Sequence, residues 1–186
     1  MLGELRGGHR VHFVLAWGLC GIDLLGLAVA LWTPLPLWLW AVPVVATFPV
    51  FGWAVVRSLR VPLLRRGGGW DVLAYLRLLP RGLLAAYVGT LLLVGLGAAT
   101  GGGAQDARSD QDGYSYLRRD PAYHSGQSVR VAIDRARYDR MRGAQQRLFL
   151  AGSALFCTAG SFLVLTSATA AAARERSARK PLRKKS

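Results

Sequence analysis

One carboxylate stands alone in the apolar sequence: Asp23, inside an otherwise uncharged run over residues 11–32. A carboxyl group near the centre of a bilayer costs several kcal/mol unless it is protonated, paired or hydrated, so it must face other protein or water. Two kinds of chemistry fit that residue in that setting. It can relay a proton or cation, or it can fix helix packing through hydrogen bonds. The spans hold no Lys, Arg or second acid to complete a relay, which favours the packing role. Counting depth from each span's entry places Thr47, Thr90 and Thr158 at broadly the level of Asp23, with hydroxyls able to bond it.

Small residues form two further patterns. Ser153, Cys157 and Ser161 recur at i, i+4 and i+8, and Gly95 and Ala99 make a small-xxx-small pair; such stripes let helices approach closely. They suit packing within the bundle more economically than packing of a second copy. Cys20 and Cys157 both lie inside apolar runs, away from an oxidising aqueous phase, and read as small packing residues. His9 and His12, at i, i+3, have no carboxylate or thiolate at a spacing that makes a metal site, so no metal or cofactor is expected.

Signatures of enzymatic chemistry are missing. The chain has no phosphate-binding P-loop, no Gly-x-Ser-x-Gly elbow, no His-Glu-x-x-His and no Cys-x-x-Cys. Tyr114, Tyr116, Tyr123 and His124, with neighbouring arginines, offer a contact surface but no nucleophile, base and orienting group in a recognisable set.

The elements that must position these residues are four apolar stretches, residues 11–32, 35–56, 83–100 and 148–173. A helix of about 18 or more apolar residues crosses the roughly 30 Å hydrocarbon layer with its backbone polar groups satisfied internally. The chain is 186 residues long, 52% apolar and has a mean hydropathy of +0.27, which leaves room for one modest aqueous loop. The first stretch has the basic flank of a signal peptide and ends in Ala28-Val29-Ala30. Its length, Asp23 and the immediate second span nevertheless read as a retained helix.

The expected fold is an all-α integral membrane protein: four transmembrane helices with a small extracytoplasmic β-hairpin between the third and fourth. Residues 1–10 form the cytoplasmic N-terminus and 11–56 a tight helical hairpin turning at Thr33-Pro34. Residues 57–82 form a basic connection with an interfacial helix from Trp70 to Leu79. The third span, 83–100, leads into the outer loop, 101–147, then the fourth span, 148–173, and a basic tail, 174–186. Within the loop, a flexible acidic run precedes two strands, Tyr114 to Arg118 and Ser128 to Ile133; Asp134 then caps a helix continuing into the fourth span. Pro43 and Pro49 should kink the second span. Trp32, Trp38 and Trp40 gather at one interface, and Trp17, Phe51 and Trp53 lie toward the other.

Charge sets the expected orientation. Of 24 cations, 21 are Arg, a usage typical of a GC-rich bacterial genome. Fifteen lie in the N-terminus, second connection and tail, and nine in the third connection, which places both termini in the cytoplasm of an inner (plasma) membrane. The arginines at 135, 137, 140, 142 and 147 then need partners on the outer side, such as Asp134, Asp139 or lipid phosphates. The basic flanks suit anionic head groups, at about 1 kcal/mol per residue, and no independent basic fold suggests nucleic acid.

The functional expectation is a non-enzymatic accessory or interaction subunit, meeting a membrane partner or a second copy of itself. A small transporter or channel component using Asp23 is the first alternative, and a membrane sensor with a ligand-binding hairpin the second.

Overall fold

A computed structural model describes residues 5–59, 79–102, 106–110, 113–119 and 128–179. Among these residues are four helices, α1 (Gly8–Ala30), α2 (Leu37–Ser58), α3 (Arg81–Gly101) and α4 (Arg135–Arg179), with a sheet of β1 (Ala107–Asp110), β2 (Gly113–Arg119) and β3 (Ser128–Ile133) between α3 and α4. All four helices are long and apolar enough to cross a membrane, the pattern of a multi-pass membrane protein. The interfacial helix expected over Trp70 to Leu79 falls almost wholly outside the described residues, as do Tyr123, His124 and the end of the tail.

The fourth helix is the centre of the bundle. Of its most apolar window 56% is buried inside the protein, against 28%, 17% and 22% for α1, α2 and α3, and it packs against all three. The sequence explains this: α4 carries Ser153, Cys157, Ser161 and several alanines on its inner faces, while α2 and α3 keep leucine, valine and phenylalanine for the outer surface. Leu91, Leu92, Leu93 and Phe48 are among the exposed apolar side chains, as a lipid-facing surface requires.

Helix starts and stops follow local chemistry. Pro36 and Pro80 precede the first residues of α2 and α3, where a missing N–H costs nothing and the fixed φ is already suitable. Asp134 Oδ1 accepts the Arg137 N–H at 2.7 Å, so the expected cap holds and α4 runs unbroken for 45 residues. Helix α2 continues through both Pro43 and Pro49.

The loop differs from the expected hairpin in one respect. It forms a three-stranded antiparallel sheet in the order β1-β2-β3, with Tyr116 paired to both Ala107 and Val131. The extra strand, Ala-Arg-Ser-Asp, comes from the run expected to be flexible. Its residues have little strand preference of their own; pairing with β2 supplies the order. Register places Tyr114, Tyr116, Val131 and Ile133 on one face and Arg108, Asp110, Ser115, Leu117 and Arg130 on the other. The tyrosine face lies on α4: the Tyr114 and Tyr138 rings are 4.7 Å apart, and Arg137 sits over Tyr116 at 5.3 Å.

The third helix also corrects the expected packing pair. Gly95 has open space around it and Ala99 is exposed; the close approach is made by Gly97 and Gly101. A Cβ at Gly97 would lie 2.9 Å from Leu27 side-chain carbons and 3.0 Å from Ala151 Cβ, and one at Gly101 would lie 2.9 Å from the Ala144 carbonyl oxygen. The sequence carries two overlapping small-xxx-small pairs on nearly opposite faces, and contact with α4 selects the second.

Candidate functional site

Asp23 is fully buried, two-thirds of the way along α1 and facing α4. Ser153 donates to its Oδ2 at 2.6 Å, while Oδ1 is buried without a hydrogen-bond partner among the described residues. No cation pairs with it there. The carboxyl group therefore rests in an apolar bundle on one neutral hydrogen bond, an arrangement far short of what a buried acid normally receives.

From Asp23 a polar seam follows α4 in both sequence directions of the helix contact. Ser153 Oγ is 2.8 Å from Thr47 Oγ1, and Thr47 in turn donates to the Pro43 carbonyl at 3.1 Å and lies 3.3 Å from Cys157 Sγ. One turn further along α4, Thr158 lies 3.6 Å from Cys20 Sγ, and Ser161 lies 2.8 Å from the Tyr87 hydroxyl. The expected stripe Ser153, Cys157 and Ser161 thus faces inward and supplies the central members of the seam. Thr47 reaches Asp23 through Ser153 rather than directly, Thr158 meets Cys20, and Thr90 is buried beside the same thiol.

Each position follows from helical spacing. Residues 153, 157 and 161 share one face of α4, as do Cys20 and Asp23 on α1, and close approach along these small side chains brings the hydroxyls into reach. The seam holds no set of three or more His, Cys, Asp or Glu able to hold a metal among the described residues.

Toward the sheet, the seam is closed by Gln146, which sequence reasoning missed, and by Arg147, which finds backbone carbonyls in place of the expected Asp134, Asp139 or lipid phosphates. Gln146, fully buried, accepts the Leu35 N–H at 3.0 Å and donates to the Leu35 carbonyl at 2.7 Å, pinning the α1–α2 connection to α4. Arg147 donates to the Ala30 carbonyl and to the Thr100 carbonyl, each at 3.1 Å. Those carbonyls end α1 and α3, where helix dipoles present partial negative charge. Arg147 is thus accommodated by helix termini, whereas Arg135 approaches Asp139 at 4.0 Å in an exposed pair and Arg137 covers Tyr116. Nothing in the local sequence singles out Gln146 or Arg147, because both sit in the polar opening of α4, beside Gln145 and after the arginines at 135, 137, 140 and 142.

Of the outer-contact candidates, Tyr116 is 6% exposed and Tyr114 is half-buried against Tyr138, so both hold the sheet on α4. The sheet's other face is polar. Arg130 donates to Ser115 Oγ at 2.8 Å and pairs with Asp110. Of the aromatic belts, Trp32, Trp38 and Trp53 point outward, while Trp40 stacks on Phe149 at 5.6 Å and Trp17 packs on Tyr87 at 5.2 Å.

The histidines separate too. His12 Nε2 lies 2.8 Å from the Val50 carbonyl oxygen, joining α1 to α2 beside Pro49, and its Nδ1 is buried without a partner among the described residues. Beside it, Arg57 Nη1 donates to the Gly8 carbonyl at 2.9 Å. No family model, curated protein or solved structure matches this chain.

Proposed function

We propose that the protein is a non-enzymatic accessory subunit of a membrane assembly, with the bundle as its anchor and the polar face of the sheet as the surface that meets a partner. The observation that carries this reading is the continuity of α4. One helix holds the sheet on its first turns through Tyr138 and Arg137, closes the bundle through Gln146 and Arg147, and packs all three other spans. The sheet is therefore mounted on the core rather than tethered to it. A small sheet is marginal in water by itself, and a stiff mount offsets that weakness.

The Lys/Arg distribution supports cytoplasmic termini in a bacterial inner membrane, with the sheet outside. The partner would meet Arg108, Leu117 and Arg130, on the face turned away from the tyrosines. Crosslinking and affinity purification of the tagged protein from its native membrane test this, run beside a deletion of residues 107–133 and an Arg108→Glu/Leu117→Asp variant. Both should lose a stable co-purifying protein while the four spans still insert. Retention of the same partner by both variants would overturn the reading.

A second reading, a transporter or channel component, is favoured by one specific observation, the unpartnered oxygen of Asp23. It expects Asp23→Asn to abolish flux through a reconstituted protein that remains folded. Unchanged flux would sink it.

A further inference from the structure

We infer that the groove between α1 and α2, at the end of the bundle opposite the sheet, is a binding site for one phospholipid with a net anionic head group. The groove is an open surface trough of about 510 Å³. Its polarity is graded. Gly8 and Arg57 form the mouth, Val11, Leu15, Pro49 and Trp53 form the walls, and His12 bonded to Val50 closes the floor. From Gly8 to Leu15 the walls extend about 10 Å inward along α1, at about 1.5 Å per residue. That is the profile of a lipid, with a charged head at the interface and a chain beneath it.

Access is lateral. Val11, Leu15 and Trp53 are 61%, 53% and 57% exposed, so the groove opens to the side where the bilayer lies. The charge is set for an anion. Arg57 spends Nη1 on the Gly8 carbonyl and lies 5.9 Å from the Trp53 ring centroid, a placement that holds the guanidinium across the mouth with further N–H groups to donate. Among the described residues, no acidic side chain lines the groove. A Cβ at position 8 would come within 3.1 Å of Arg57 Nη2, so a side chain there lies directly beside the guanidinium.

The test is native mass spectrometry of the full chain in neutral detergent, titrated with phosphatidylglycerol, with phosphatidylcholine of the same acyl chains, and with inorganic phosphate. One phosphatidylglycerol should be retained with a preference of about fivefold over phosphatidylcholine, as one interfacial arginine contributes. Arg57→Gln should bring the two lipids to near equality, and Leu15→Trp, which fills the groove from an exposed position, should lower retention of both. Equal retention by the unaltered protein, a preference that survives Arg57→Gln, or full displacement by inorganic phosphate would overturn the site. Should Arg57→Gln fail to fold, Gly8→Glu decides the same point: an acid beside Arg57 at the mouth must lower the preference, and an unchanged preference counts against the proposal.

Discussion

Gln146 and Asp23 are both fully buried polar side chains at helix contacts with α4, and they are treated in opposite ways. Gln146 completes two backbone hydrogen bonds of Leu35 that no helix supplies. Asp23 receives one bond on one oxygen and, among the described residues, none on the other. A satisfied buried amide rigidifies a structure, whereas a half-satisfied acid weakens it, so retention of the acid calls for a purpose other than strength. The same bundle thus has a clamp toward the sheet, where the Gln146 amide is satisfied even though Arg147 Nε beside it is buried without a partner among the described residues, and a middle where Asp23, Thr47, Ser153 and Cys157 meet.

The largest test of that contrast is Gln146→Leu, which keeps the volume but strands a buried N–H and carbonyl at Leu35. We expect a loss of about 2–4 kcal/mol, since each unsatisfied buried group costs about 1–3 kcal/mol; unfolding in mixed detergent micelles measures it, and a change under about 1 kcal/mol would show that the connection does not depend on the clamp. Next comes Gly101→Ala, which drives a Cβ onto the Ala144 carbonyl near the clamp. A cost of about 1–3 kcal/mol is expected from overpacking, with Gly95→Ala near zero because nothing surrounds it. Equal effects at the two glycines would mean that α3 packs through its other face. The smallest effect belongs to Asp23→Asn, which keeps the acceptor for Ser153 and removes only the acid. Stability should change by under about 1 kcal/mol in the same assay. A loss above about 3 kcal/mol would reveal a charge pair holding the middle of the bundle and erase the contrast.

Much of this frame was legible in the residues. Span length and apolarity marked all four helices, the Asp134 cap and the apolar stretch it leads into marked the long fourth helix, and the isolated acid pointed inward by cost alone. The stripe Ser153, Cys157, Ser161 was readable because helical spacing fixes which side chains share a face. What escaped depends on partners distant in the chain. Gln146 binds Leu35 111 residues away, and Arg147 binds carbonyls 117 and 47 residues away, which only the folded bundle brings near. β1 has no strand-forming residues and borrows its conformation from β2. Gly97 and Gly101 are indistinguishable from Gly95 and Ala99 until a neighbour is in place. His12, open to a metal reading beside His9, instead bonds a carbonyl of α2.

The central position of α4 has a consequence for assembly. Asp23 and Ser153 are 130 residues apart, so the acid is synthesised well before the hydroxyl that bonds it. At about 5–20 residues per second that interval is roughly 7–26 s. Throughout it the first three spans lack the helix that each of them packs against, and a carboxyl group must wait in or beside the insertion machinery for its partner. Biogenesis of this protein therefore passes through an exposed-acid intermediate, which is the stage at which a membrane chaperone or quality-control protease would recognise an unfinished chain.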